Sequence, residues 1–221
     1  MGFTPPRLEE LPDGFPVFPL AGALLLPRGR LPLNIFEPRY LAMTEDALAA
    51  GRLLGMIQPQ LHRPRNLRGG PPLCRVGCLG RICAFSETDD GRYLITLAGL
   101  IRFTVAEELP MRRGYRRVRA ALSHYAADLV PSAGPLCDRA GLLADLRGYF
   151  ARQGIEANWE AIGAMADDAL VTTLCMACPF DVAEKQALLE APTEAERARA
   201  LRTLLAIDSH AALAPGPGRA S

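Results

Sequence analysis

Lysine is almost absent from this sequence. Of 25 lysines and arginines, 24 are arginine, and the single lysine is Lys185. Every mechanism that needs a lysine must therefore use that one position. A phosphate-binding loop of the form GxxxxGK[ST] requires Lys followed by Ser or Thr after a glycine-rich turn. Lys185 stands in Ala183-Glu184-Lys185-Gln186, with no glycine before it, so that kind of nucleotide site is excluded. A Ser-Lys hydrolytic dyad or a Schiff-base amine would also fall on Lys185. Its neighbours Asp181, Glu184 and Glu190 favour a charged, solvated ammonium over a desolvated amine of lowered pKa. Histidine is scarce too. His62, His124 and His210 lie far apart, and none has a second histidine at metal spacing. No G-x-S-x-G elbow occurs.

Other absences bear on compartment and partners. The first fourteen residues, MGFTPPRLEELPDG, lack the apolar core of a signal peptide, and no run of about 18 apolar residues occurs. A cytoplasmic protein with reduced thiols and no membrane contact is expected. The formal net charge is +1, which argues against nucleic acid, whose affinity comes from a basic surface. Arg112, Arg113, Arg116, Arg117 and Arg119 do form a dense segment. It reads as a solvated sheet face, the sharper alternative being a docking surface for an acidic partner. Cys74, Cys78 and Cys83 fall on an expected strand, and Cys175 and Cys178 on an expected helix among Leu174, Met176 and Ala177. Buried cysteine behaves as a small hydrophobe, so core packing is expected, with neither metal nor cofactor.

What is present is a chain with 49% hydrophobic residues, enough to bury a real core. Its pattern changes near residue 130. Before that point, short apolar runs broken by Gly and Pro predict strands at 15–20, 23–26, 31–35, 53–58, 73–86, 92–108 and 115–124. Asp89-Asp90-Gly91 supplies a hairpin turn. One helix opens at Glu37-Pro38, with Tyr40, Leu41, Thr44 and Leu48 on one face. After residue 130 the period is helical. Asp138, Asn158, Asp167 or Asp168, and Asp181 are candidate N-caps, and Thr193-Glu194-Ala195-Glu196 is a capping box. Leu142, Leu143, Leu146 and Phe150 mark the buried face of the first of these helices. The fold expected is α+β: a curled sheet or pseudo-barrel with one helix over 1–130, a helical bundle over 131–208, and a flexible tail over 209–221.

A series of segments together carries a family resemblance. These are Phe15-Pro16-Val17-Phe18-Pro19-Leu20, Leu24-Leu25-Leu26-Pro27 and Leu31-Pro32-Leu33-Asn34-Ile35-Phe36-Glu37-Pro38-Arg39-Tyr40. They are followed by Gly55-Met56-Ile57, Val76-Gly77-Cys78-Leu79-Gly80-Arg81-Ile82, Asp90-Gly91-Arg92, Leu97-Ala98-Gly99, Arg102-Phe103 and Tyr115-Arg116. Over about 12–208 the chain resembles the N-terminal, substrate-recognition domain of the Lon protease family. The resemblance implies a PUA-like β-subdomain followed by helices, and a role in binding unfolded polypeptide or exposed apolar segments. It implies no catalytic residue, because the family keeps its ATPase and protease chemistry in other modules. Glu37, Arg39, Tyr40, Gly77, Gly80, Arg81, Gly99 and Arg102 read as architectural. Candidates to line an apolar peptide groove are Leu33, Ile35, Phe36 and Phe85, with core packing the competing assignment for each. Two alternatives remain open: a regulator docking on a folded protease or chaperone, and a PUA-like module for a small ligand or RNA.

Overall fold

A computed structural model describes residues 6–64, 70–130 and 137–211, with side chains as far as residue 206. Part of the stretch between the strands expected at 53–58 and 73–86, and most of the expected tail, thus lie outside the described residues. The strands are β1 (Gly14–Pro19), β2 (Arg30–Ile35), β3 (Leu53–Pro59), β4 (Leu73–Glu87), β5 (Tyr93–Arg112) and β6 (Tyr115–Ala121). The helices are α1 (Pro38–Ala49), α2 (Arg139–Gln153), α3 (Trp159–Ala164), α4 (Asp167–Ala177), α5 (Val182–Glu190) and α6 (Glu194–Ala211). Two compact units result. One takes the residues up to Pro131 together with Met176–Glu190, the other Ser132–Cys175 and the residues from Ala191 onward.

In the first unit the strand order is β2-β5-β4-β3-β1-β6, and β6 pairs again with β5. That second pairing closes five strands into a barrel and leaves β2 outside it. The 20-residue β5 makes this possible. Its stretch 93–98 pairs with β2, and its stretch 104–112 pairs with β6. Only β1 and β3 run parallel among the recorded pairings. Phe15, Val17, Leu79, Ile101, Phe103 and Val118 fill the barrel, with Phe15 edge-on to Phe103 at 5.1 Å. The chain at 23–26 forms no strand. Leu24, Leu25 and Leu26 are all buried, so the segment has no solvent face to alternate with, and the Leu26 carbonyl closes a turn to Gly29 N–H at 2.9 Å.

Helix α1 starts with Pro38 in its first turn, where a missing N–H is harmless. Its buried face is Tyr40, Met43, Thr44 and Ala47, at the i, i+3, i+4, i+7 spacing of one helical stripe. Leu41 and Leu48, expected there, are only half-buried. Tyr40 packs on Phe18 with ring centroids 4.3 Å apart. Asp46 ties the helix to the β5–β6 hairpin, accepting from the Tyr115 hydroxyl at 2.6 Å and from Arg113 at 3.2 Å. The Tyr115 hydrogen bond, foremost, holds the Asp46 carboxyl below its ordinary pKa. Burial first, then Asp46, pushes Tyr115 up to about 12. The dense arginine segment is matched by carboxylates at four of its five positions: Arg112 by Asp46, Arg113 by Glu45 and Asp46, Arg116 by Glu108, and Arg119 by Glu107 and Asp13. It is an ion-paired surface, not an open basic patch.

Helix α5 belongs with the barrel, although its sequence position falls in the stretch expected to be a separate helical subdomain. The buried Gln58 side chain donates to Val182 O at 3.0 Å, Gln186 donates to Val76 O at 3.1 Å, and Lys185 Nζ donates to Gly22 O at 2.8 Å. The one lysine is a tether to a turn carbonyl rather than a freely solvated ammonium.

In the second unit three of the expected caps form, whereas Asp167 and Asp168 stand inside the first turn of α4, behind Ala166, whose carbonyl accepts the Leu170 N–H. Asp138 accepts from Gly141 N–H at 3.1 Å, and Asn158 from Ala161 N–H at 3.0 Å. Thr193 and Glu196 exchange backbone bonds of 3.2 and 3.1 Å. Leu142, Leu146 and Tyr149 form the buried face of α2. Tyr149 takes the place expected for Phe150, and Leu143 is half-buried. Helices α2 and α6 are joined by Arg202 on Asp145 at 2.7 Å and Arg152 on Leu205 O at 3.0 Å. Gly163 in α3 has open space where a Cβ would stand. Gly163→Ala is expected to raise stability by about 0.5–1 kcal/mol through helix propensity alone, read as a higher denaturant midpoint at unchanged m-value.

Candidate functional site

Beyond the barrel, β2, β5 and the end of β4 continue as a three-stranded extension. Its register sets side chains in rows. Leu33, Ile95 and Phe85 align across the strands, flanked by Pro32–Thr96–Ala84 and Asn34–Leu94–Ser86. Because side chains alternate faces, the two flanking rows share one face and form the walls of a shallow groove. The backbone of the middle row is its floor. These nine residues line a cavity of about 480 Å³. Leu94 is 45% exposed, Phe85 43% and Phe36, just past β2, 63%. Phe85, in the middle row, faces the other side of the sheet, edge-on to Tyr93 at 5.1 Å, so the groove face keeps Leu94 and Phe36 open. Large apolar side chains left this open cluster where a ligand or partner covers them.

The groove borders an open strand edge. Gly99 N–H bonds to Gly29 O at 2.9 Å, and with the β2–β5 register this turns the backbone groups of Leu31 and Leu33 toward β5. The groups of Arg30, Pro32 and Asn34 face outward. Pro32 thus occupies a position whose N–H would have no ladder partner, where proline is tolerated. It removes one outward donor, while the carbonyls of all three residues remain available to an added strand.

The residues expected to line a groove therefore divide. Leu33 and Phe85 lend their backbone to the groove floor while their side chains stand on the opposite face, and Phe36 is exposed beside the groove. Ile35 is 1% exposed and belongs to the core, because its row places it on the opposite face from the groove walls. Leu94 and Pro32 were not anticipated. The alternation Leu94-Ile95-Thr96-Leu97 shows apolar residues on both faces, and only the three-strand register reveals which one stays open.

The residues read as architectural are placed as follows. Glu37 and Arg39 pair at 2.7 Å on the surface. Tyr40 is core. Cβ atoms added at Gly77, Gly80 and Gly99 would strike Phe103, Leu25 and the Leu26 carbonyl respectively. Arg102 is 5% exposed and forms a buried, two-pronged pair with Asp128, itself 7% exposed. Arg81 lies half-buried on β4 opposite Ala98.

A second cavity of about 360 Å³ is lined in part by Tyr40, Leu61 and Met111, with Arg39 and Arg116. Both arginines are already bound to carboxylates, Arg116 to Glu108 at 2.6 Å, so it offers little unmatched charge to a ligand. Cys78, Cys175 and Cys178 are buried, and burial raises the Cys178 thiol to about 11, far from a reactive thiolate. Among the described residues no cluster of His, Cys, Asp and Glu is arranged to hold a metal, and no helix is long and apolar enough to cross a membrane.

Comparison with known proteins agrees with this architecture. Residues 14–206 match the family described as the ATP-dependent protease La (LON) substrate-binding domain. Lon protease 2 of Sorangium cellulosum is 29% identical over 199 residues, 85% of this chain and 24% of that protein. Lon protease 2 of Myxococcus xanthus is 28% identical over 107 residues, 47% of this chain and 13% of that protein. The chain thus spans a quarter or less of the length of these relatives. Among solved structures, a Lon N-terminal domain protein from Xanthomonas campestris superposes with a TM-score of 0.56 at 23% identity, covering 87% of this chain and 97% of that one. The N-terminal domain of Lon protease from Mycobacterium avium complex gives 0.58 at 18% identity, covering 87% and 98%.

Proposed function

Because the chain belongs to the family of Lon substrate-binding domains, we propose that it is a non-catalytic polypeptide-recognition protein whose contact surface is the β2–β5–β4 groove. The observation that carries this reading is the exposed pair Leu94 and Phe36 on the groove face, beside a β2 edge that no other strand pairs among the described residues. An extended, unfolded segment satisfies both features at once. Its backbone pairs along Arg30, Pro32 and Asn34, and alternate apolar side chains cover the groove wall. A folded partner offers fewer free strand edges, so unfolded chains are the preferred ligand. The lone lysine is engaged by Gly22 O, which supports a role without lysine chemistry.

The test is a fluorescence-anisotropy titration with a permanently unfolded, carboxymethylated protein and with labelled apolar peptides. Wild type is expected to bind at micromolar concentration. Leu94→Asp is expected to weaken binding at least tenfold, because it places an unpaired charge in the contact (about 1.4 kcal/mol per tenfold). Leu94 is exposed, so its replacement leaves the unfolding midpoint nearly unchanged. No binding at high micromolar concentration, or equal binding by Leu94→Asp, refutes the reading.

A further inference from the structure

The groove has electrical poles as well as an apolar middle. Arg30, Ala98 and Arg81 form one row across β2, β5 and β4, on the same face as the groove walls Pro32 and Thr96, two residues away along the strands. The two arginines thus flank a small residue at one end of the groove. Their Cα atoms stand two strand spacings apart, about 10 Å, close enough for both guanidinium groups to reach one carboxylate. Neither is matched by a carboxylate among the described residues. Arg30 contacts only Cys83 Sγ, at 3.8 Å, and Arg81 Nε is buried without a hydrogen-bond partner. This contrasts with the arginines at 112, 113, 116 and 119, each held by an acid. An acidic side chain arriving at this end thus meets cationic charge that the fold leaves without a carboxylate among the described residues, exposed at Arg30 and half-buried at Arg81.

The opposite end is acidic. Asn34, which lines the groove, also borders a neighbouring cavity of about 330 Å³ lined by Thr88, Asp89, Asp90 and Arg92. Asp90 is bound by Arg92 at 2.6 Å. Asp89 is exposed, and among the described residues it has no cationic partner.

We infer that the groove selects extended segments by charge as well as by apolarity. The segment carries an acidic side chain over Arg30 and Arg81, and small or apolar residues at the second and fourth positions from it, over the Thr96 and Leu94 rows. Four residues of extended chain cover about 13 Å, the strand distance between the Arg30 and Asn34 rows. A basic residue beyond the fourth position meets Asp89. The inference rests on the proposed function, because it describes the ligand of the same groove.

The experiment uses three labelled nonapeptides that differ at one position. One has Glu followed by alternating apolar residues, and the others replace that Glu by Gln or by Lys. Each is titrated at low salt against the wild-type chain, Arg30→Glu and Arg81→Met. Wild type is expected to bind the Glu peptide about tenfold tighter than the Gln peptide and to reject the Lys peptide. The preference is expected to shrink as salt rises, since exposed charges are screened. Arg30→Glu, on an exposed edge position, is expected to invert the order and favour Lys. That rescue separates direct charge contact from a general loss of fold, and Arg81→Met is expected to remove the Glu preference without inverting it. Equal binding of the Glu and Gln peptides, with both still lost in Leu94→Asp, overturns the charge selection and leaves the groove as the polypeptide site. Binding of no peptide overturns both.

Discussion

Asp128→Ala is expected to destabilise the protein by about 3–5 kcal/mol, the range for stripping one partner from a buried ion pair. Asp128 accepts Arg102 Nε at 2.9 Å, Arg102 Nη2 at 2.8 Å and the Arg102 backbone N–H at 3.0 Å. The guanidinium also lies 4.7 Å over the Tyr125 ring and donates to Leu189 O at 3.3 Å. Alanine would strip the carboxylate from a buried cation and from the Arg102 backbone N–H that it caps. The measurement is chemical denaturation at neutral pH. Glu107→Ala serves as the reference, because Glu107 and its partner Arg119 are each about half exposed, and such pairs contribute roughly 0–1 kcal/mol. Asp128→Asn keeps one acceptor and is expected to fall between the two. A loss below about 1 kcal/mol for Asp128→Ala would mean that water or a shifted side chain satisfies Arg102, and the pair would not be a keystone of the barrel.

That pair illustrates what sequence can and cannot show. Arg102 stood out within a family-like Arg102-Phe103, yet nothing marked Asp128 as its partner. Twenty-six residues separate them, and Asp128 lies in a short 3-10 segment, Ser123–Leu129, where no periodicity points inward. Local signals fared best. The caps at Asp138, Asn158 and Thr193 are short-range chemistry, so the starts of the helices behind them were legible to the residue. Strand pairings were legible only as runs, since sequence says where a strand lies but not its neighbours.

The candidate site follows the same rule. Leu33, Phe36 and Phe85 were visible as apolar residues near strand ends, but Ile35 carried the same signal and proved to be core. A single strand cannot tell its two faces apart when both hold apolar residues. The register β2-β5-β4 decides it, by setting Ile35 opposite Tyr93 and Asn34 opposite Leu94. The Arg30–Arg81 row is invisible for the same reason, because 51 positions of chain separate two residues that one row brings together. Helix α5 also escaped local reading. Its own cap, Asp181 with Glu184 at 2.7 Å, announces a helix but not that Gln58 and Gly22 hold it to the barrel unit.

Gly99→Ala is expected to cost about 3 kcal/mol, the upper part of the range for overpacking a filled interior. The backbone at Gly99 is held on both sides. Its N–H bonds to Gly29 O and its carbonyl accepts the Arg28 N–H, each at 2.9 Å. A Cβ there would run into the Leu26 carbonyl and come within 3.3 Å of Leu25 Cδ1. The obstacle is backbone, not the tip of a flexible side chain, so relief requires the 26–29 turn to move. Gly91→Ala provides the contrast. It has φ +77° and nothing within 4 Å, so it costs only the strain of a left-handed residue, about 1–2 kcal/mol. Gly99→Ala should therefore be the more damaging of the two by denaturation, and amide exchange should quicken at Arg28. The turn feeds directly into β2, which forms one wall of the groove. The same substitution is accordingly expected to weaken peptide binding at temperatures where the barrel is still folded, while Gly91→Ala, which leaves the 26–29 turn untouched, keeps affinity close to wild type for a peptide with no basic residue to meet Asp89. Unchanged affinity in a folded Gly99→Ala protein would show that β2 keeps its place without this turn.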